Sequence, residues 1–392
     1  MISLPQSRAD AYLERGWAGG DGAGSDRLQA VSGAWSPLSP SRSDAAAQSA
    51  LGTTAKLRAA RYERQGLARV LLPLERVARC LCSPISAVQV LQVAGRELGV
   101  LKGLQTCGSV WICGVCGAKI SERRRVELQE GIDAAVDLGL DLALVTFTTR
   151  HHLGQSLREM RRGLQRARER MARSRGYRKL MDELSVGSVR ALEVTFGLNG
   201  WHPHMHELRF LKKGVDLVAF GDALRVMWLA ALDAEGLSGN GHALTVVAAD
   251  ASGGDYLVKL DGSASWTAAH ELTKQVVKKG RHGSRSPVDL LDAYGAGDVE
   301  AGQLWVEYAR EMKGCHQLVW SRGLRALLGL GVEMSDDEVA AQVEETGAVV
   351  VHSFTTEEWA TVRSNDVRYE VLVLAGQGDG DGIRRLLRDL GG

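Results

Sequence analysis

The stretch that most constrains the fold is residues 189–211. Val189 to Phe196 alternates, with Arg190, Leu192, Val194 and Phe196 on one side and Ala191, Glu193 and Thr195 on the other. Gly197-Leu198-Asn199-Gly200 reads as a turn and Trp201 to Leu211 as the returning arm, so the segment is a β-hairpin. Pairing centred on that turn sets Glu193 opposite His204. The returning arm opens Trp201-His202-Pro203-His204-Met205-His206. Alternate residues of a strand share a face about 6.5 to 7 Å apart, so the three imidazoles point one way. One core histidine is ordinary; three on one face require a reason. With Glu193 they form a mixed nitrogen and oxygen set that suits magnesium or manganese better than structural zinc, although histidine alone would also take zinc. Glu193 with two of the histidines beside it is the candidate ligand set. Leu208 and Phe210 share the histidines' parity, so either a bulge intervenes or the metal sits near one end of the strand. Pro203 lacks an amide and belongs among the first paired residues.

The flanks give a fold class. Leu128, Ile132 and Val136 form one stripe of a helix from Lys119 to Leu138, with Gly139 as its stop, and Leu140 to Phe147 is short enough for a buried strand. Leu157, Met160, Leu164, Ala167 and Met171 recur at helical steps through an arginine-rich block, turning the arginines outward. Asp216 caps a helix that runs to about Glu235, and Ala243 to Ala248 is a further strand. This order suggests an α+β layer fold, an antiparallel sheet covered by helices. The expected divisions are a flexible arm (1–65), a cysteine-rich zinc-binding segment (66–118), the sheet domain (119–265) and a mixed helical accessory region (266–392). In the last, Ser286-Pro287 and Ser335 to Glu338 start helices, and Ala348 to Phe354 and Tyr369 to Leu374 look like strands.

Net charge over the 392 residues is +1, but the charges are segregated. Arg150 to Lys179 holds ten Arg and one Lys against two Glu, and Glu333 to Glu370 holds ten acids against two Arg. A neutral chain with such blocks can still offer a basic surface to a polyanion. No apolar run approaches the ~18 residues that cross a bilayer, and the first ten residues lack the layout of a secretion signal. Six unevenly spaced cysteines do not form a disulfide framework, so a reducing cytoplasm fits. Cys107, Cys113 and Cys116 bring three thiolates close, the last two at knuckle spacing, with Cys82 or Cys80 as the fourth ligand of a structural zinc.

Downstream, Gly253-Gly254-Asp255-Tyr256-Leu257-Val258-Lys259 sets a tyrosine and a lysine one helical turn apart. Together with Cys107 to Cys116, Arg190 to Thr195, Trp201 to His206, Glu271-Leu272-Thr273 and Ser321 to Leu324, this resembles the rolling-circle replication initiators of actinobacterial plasmids, in the His-hydrophobic-His (HUH) endonuclease superfamily. The resemblance spans roughly residues 75 to 330. It implies a ferredoxin-like sheet with the histidines on a central strand and the tyrosine on a neighbouring helix. It also implies that Tyr256 nicks one strand of a plasmid origin, single-stranded at that point, forming a 5′-phosphotyrosine and a free 3′-OH. Magnesium or manganese would sit on His204, His206 and Glu193, with His202 as a further ligand or an orienting neighbour. Lys259 would steady phosphate charge or lower the tyrosine's pKa. Arg161, Arg166 and Arg168 would hold DNA phosphates, and a host helicase and polymerase would follow. The family pattern has a proline after the middle cysteine, where this chain has Gly114, and residues 257–260 hold no second tyrosine. Other readings remain open: a relaxase or transposase of the same chemistry, a histidine-triad nucleotide hydrolase, or a zinc-stabilised DNA-binding regulator without enzymatic activity.

Overall fold

The alternation of residues 189–211 produces the expected hairpin, with Glu193 paired to His204, Ala191 to His206 and Gly197 to Gly200. Leu198 and Asn199 form the turn, and Gly200 closes it at φ 85°, a left-handed conformation that a side chain disfavours. The computed structural model describes residues 53–249, 273, 283–343 and 347–391. In chain order the strands are β1 (Pro84–Gln92), β2 (Val100–Leu104), β3 (Asp141–Phe147), β4 (Ser185–Gly197), β5 (Gly200–Leu211), β6 (Leu244–Ala248), β7 (Leu318–Trp320) and β8 (Val349–Ser353). The helices are α1 (Thr53–Leu71), α2 (Gly114–Asp137), α3 (Leu157–Arg173), α4 (Arg175–Leu184), α5 (Leu217–Ala234) and α6 (Pro287–Gly295). They continue as α7 (Val299–Glu311), α8 (Leu324–Leu327), α9 (Asp336–Ala341), α10 (Thr356–Ser364), α11 (Arg368–Gly376) and α12 (Gly380–Asp389).

Five strands form one sheet in the order β6-β3-β5-β4-β7, each neighbouring pair antiparallel. Its side chains alternate between two apolar layers. Met205 and Leu211 of β5 join Phe147 under Leu164 and Met171 of α3 and Phe220 and Trp228 of α5. On the other face Leu208 and Phe210 join Leu144 and Ala191 against Leu128 and Ile132 of α2. Burying each large side chain contributes about 1.5–3 kcal/mol, and a slip of one residue would swap the two faces, so the register is firmly set. No bulge interrupts β5 between His202 and Phe210. Instead, β3 pairs with β5 only from Met205 onward, so Trp201 to His204 run beside β4 alone. The histidines thus occupy one end of the strand. Pro203 sits there too, where no β3 partner asks for its amide.

A second antiparallel sheet, β2-β1-β8, joins chain segments far apart in sequence. Val88, Val90 and Leu101 pack with Trp359 of α10, Val371 and Leu372 of α11 and Ile383 of α12 in one core. Three expectations change. Tyr369 to Leu374 is helical, because Val371, Leu372 and Ala375 are buried at helical spacing and tertiary packing overrides the β-branched composition. Residues 53–65, expected in the flexible arm, belong to α1, where Arg64 grips Asp292 through two 2.7 Å bonds. The helix expected from Lys119 starts at Gly114, with Cys113 as its N-cap. The remaining arm residues, 1–52, lie outside the described residues. Both expected helix starts are found; Ser335 forms the expected capping box with Glu338, and Ser286 forms one with Asp289 as well.

Candidate metal centres

The hairpin register delivers one ligand atom each from Glu193, His204 and His206, all within 4.8 Å of one another. Glu193 Oε2 lies 3.2 Å from His206 Nε2 and 3.5 Å from His204 Nε2. The ring nitrogens facing away are held as well. His204 Nδ1 lies 3.4 Å from the His202 carbonyl, which can only accept, so that nitrogen donates and Nε2 is the one turned to the site. Thr146, across β3, holds His206 Nδ1 at 3.1 Å. Such outer partners fix ring orientation and tautomer at metal sites. His206 is buried, and Glu193 and His204 are half-buried, so the group opens to one side.

His202 plays a different part. Its Nε2 meets Thr148 Oγ1 at 2.8 Å, and its ring stacks on His151 at 4.5 Å with 14° between planes. Burial, then the His204 and His151 rings, push its pKa down to about 4, so it is a neutral ring at physiological pH. It stands outside the three-ligand group, packed where it orients His204. Thr146, Thr148 and His151 were missed in the sequence. The signal was parity: Thr146 shares a face with Leu142 and Leu144, a polar residue where the pattern asks for an apolar one.

The family described as "Replication protein" matches residues 99–215, which include Cys107, Cys113, Cys116, Glu193, His204 and His206. "Protein rep" of Streptomyces lividans is 29% identical over 318 residues, covering 63% of this chain and 68% of that protein. Residues 99–215 thus form a replication-protein (Rep) domain, and the chain around it is similar to a Rep protein. A "Neomycin resistance protein" of Streptomyces cyanogenus is 30% identical over 135 residues, covering 28% of this chain and 31% of that protein. No solved structure matches.

A second ligand group lies before the sheet. Cys80, Cys107, Cys113 and Cys116 are all buried, unpaired by disulfides, with their sulfurs within 4.8 Å of one another. Cys80 Sγ is 3.8 Å from Cys113 Sγ and 3.5 Å from Cys116 Sγ. Four sulfurs at the zinc–sulfur bond length of roughly 2.3 Å would stand about 3.8 Å apart in a tetrahedron, so the donor set and its size fit zinc. Hydrogen bonds from Cys107, Cys116 and Cys80 hold the Cys113 thiol well below its usual range. Of the two expected fourth ligands, Cys80 closes the group. Cys82 Sγ instead meets Arg368 Nη1 at 3.5 Å. At Gly114, where the family pattern has a proline, a Cβ would come 3.0 Å from the Arg61 carbonyl, so glycine lets α1 pack close. Gln65 of α1, fully buried, donates Nε2 to Cys113 Sγ at 3.1 Å.

The three arginines expected to hold phosphates are all engaged. Arg166 pairs with Glu235 at 2.9 Å and Arg161 with Glu311 at 3.5 Å. Arg168 is a core residue, 6% exposed, with Glu207 at 2.9 Å and the Tyr177 hydroxyl at 2.7 Å. A guanidinium so enclosed does not face a phosphate. The sequence held the clue, because Arg168 lies four residues after Leu164 and three before Met171, on the inward stripe. Tyr256 and Lys259 lie outside the described residues. Thr273, described beyond them, is buried, and its carbonyl accepts from Gln317 Nε2, which also donates to Ser121 of α2.

Proposed function

We propose that this chain is a Rep-family protein that initiates rolling-circle replication of a plasmid by nicking one strand at the origin. The observation that carries the proposal is the convergence of Glu193, His204 and His206 on adjacent strands inside the replication-protein domain. Magnesium or manganese held by these three would polarise the scissile phosphate and orient it. The succession β3, α3, α4, β4, β5, α5, β6, with sheet order β6-β3-β5-β4, supports the ferredoxin-like HUH reading.

Tyr256 is the proposed nucleophile. Its phenolic oxygen, after giving up the proton, attacks phosphorus; the bond to the 3′ oxygen breaks, and that oxygen takes a proton to become the 3′-OH. The 5′-phosphate stays on Tyr256, and the stored ester lets the strand be rejoined without ATP. Lys259, three residues after Tyr256, neutralises charge on the phosphate. Thr146 and the His202 carbonyl hold the imidazoles so that their Nε2 atoms face Glu193. The cysteine group takes a structural zinc that braces the region before the sheet. The 3′-OH primes a polymerase, with a host helicase opening the duplex. No helix among the described residues is long and apolar enough to cross a membrane, in keeping with work on DNA in the cytoplasm.

The test is incubation with a single-stranded origin oligonucleotide and manganese. Wild type should leave a denaturation-resistant protein–DNA adduct, absent with chelator and absent for Tyr256→Phe, which should still bind. An adduct that persists in Tyr256→Phe overturns the proposed nucleophile. A relaxase or transposase would give the same adduct on its own recognition sequence, so dependence on the plasmid origin separates those uses. Intact DNA activities in Tyr256→Phe with no adduct in wild type would favour a non-enzymatic regulator.

A further inference from the structure

The arginine-rich block divides into two electrostatically different parts. Along α3 every arginine but the exposed Arg162 is met by a carboxylate: Arg158 and Arg161 by Glu311, Arg166 and Arg170 by Glu235, Arg168 by Glu207, Arg173 by Glu169. Past Ser174, which ends α3 and caps α4, the pairing stops. Arg175, Arg178 and Lys179 are exposed and have no ion-pair partner among the described residues. With Arg173, Asp182 and Glu183 they line an open cleft of about 640 Å³ at the elbow between the two helices.

The ground beneath the elbow adds to its field. Tyr177, the inward residue of the same helix, accepts hydrogen bonds from Arg168 and Arg209, both buried. Those two guanidiniums share one carboxylate, Glu207, while Arg190, paired across the hairpin with Glu207, adds a third charge. Buried charge is screened little by salt, so the surplus reaches the surface above it. No acidic residue occupies the first turn of α4. Cations there oppose the helix dipole, a cost to the free protein that a bound polyanion would offset.

The distance from the metal ligands identifies what the elbow can hold. Helix α3 begins beside the histidine end of the sheet, where Leu157 N and Trp201 Nε1 both donate to Glu307. Its 17 residues span about 25 Å, the same reach as β4 from Glu193 back to Ser185 at about 3.3 Å per residue. At 3.4 Å per base pair this is roughly seven base pairs, too far for the scissile nucleotide. We infer that the α3–α4 elbow, through Arg175, Arg178 and Lys179, grips the phosphate backbone of duplex DNA about seven base pairs from the strand that meets Glu193, His204 and His206. The inference rests on the proposed nicking function for the nature of the partner, and it moves phosphate contact off Arg161, Arg166 and Arg168.

The test is the salt dependence of binding of the full chain to a 30-base-pair origin duplex, by fluorescence anisotropy. Substituting Arg175→Gln, Arg178→Gln and Lys179→Gln together should reduce the slope of log K against log salt by about 2.7, since each phosphate contact contributes about 0.9. Arg158→Gln, Arg170→Gln and Arg384→Gln remove the same net charge from ion-paired sites and should leave the slope nearly unchanged. Circular dichroism and zinc content would establish that both variants fold. Equal slopes for the elbow variant and wild type overturn the inference, as does an equal loss in the ion-paired control. Preference for a duplex RNA competitor over the DNA duplex would also overturn it. A short single-stranded oligonucleotide limited to the nick site should be cleaved equally by wild type and the elbow variant. If wild type cleaves nothing while the slope difference stands, the nicking function fails and the duplex surface survives.

Discussion

Thr146 contributes to the candidate centre without being a ligand. Its hydroxyl meets His206 Nδ1 and decides which imidazole nitrogen faces Glu193. Thr146→Val keeps the shape and removes that bond. Manganese affinity by titration calorimetry should fall about 10- to 100-fold, the usual effect of losing an outer partner; unchanged affinity would mean the ring is oriented by packing alone. Glu207, the next residue along β5, faces the opposite layer. Burial alone would raise its pKa, yet Arg168 and Arg209 hold it down to about 2, so it is a carboxylate inside the core. Glu207→Gln should cost about 3–5 kcal/mol in urea unfolding, because the partner arginines lose their counter-charge. A loss below 1 kcal/mol would show that those arginines find water instead.

At the scale of the element, the hairpin was legible because period-two alternation and a glycine-bounded turn agree on one register. That agreement set Glu193 against His204 before any coordinates, and it accounts for the mixed ligand group. The knuckle spacing of Cys113 and Cys116 was equally legible, while the choice between Cys80 and Cys82 was not. It depends on the short helical turn Arg76–Arg79, which delivers Cys80 inward, and on Arg368, nearly three hundred residues along, which takes Cys82. Zinc content should therefore fall to zero in Cys80→Ser and stay stoichiometric in Cys82→Ser, by metal analysis of purified protein. The reverse pattern would contradict the assignment. The helical state of Arg368 to Gly376 was hidden for a related reason. Its β-branched residues favour a strand locally, and only packing against Val88, Val90 and Trp359 decides for a helix. Arg168 was misread as solvent-facing because charge was weighed above its place on the apolar stripe.

Across the whole molecule, distant chain segments meet at the cysteine group. Arg69 donates to the Cys80 carbonyl at 2.7 Å, Arg368 contacts the Leu81 carbonyl and Cys82, and both arginines face Asp366. Four thiolates around zinc carry a net negative charge that the half-buried Arg69 and the buried Arg368 would offset in part, beyond what Asp366 takes up; four neutral thiols carry none. Chelating zinc should accordingly speed amide hydrogen exchange in 84–104 and 349–391 beyond any change in β3 to β5, and uniform exchange would contradict this coupling. The central claim, a tyrosine nucleophile serving the Glu193, His204 and His206 centre, is tested most directly by mapping the adduct. The covalent protein–DNA product would be trimmed with nuclease and protease and sequenced by mass spectrometry. The account predicts a nucleotide phosphate on Tyr256; a phosphate on His202, His204 or His206, or on any other tyrosine, would contradict it.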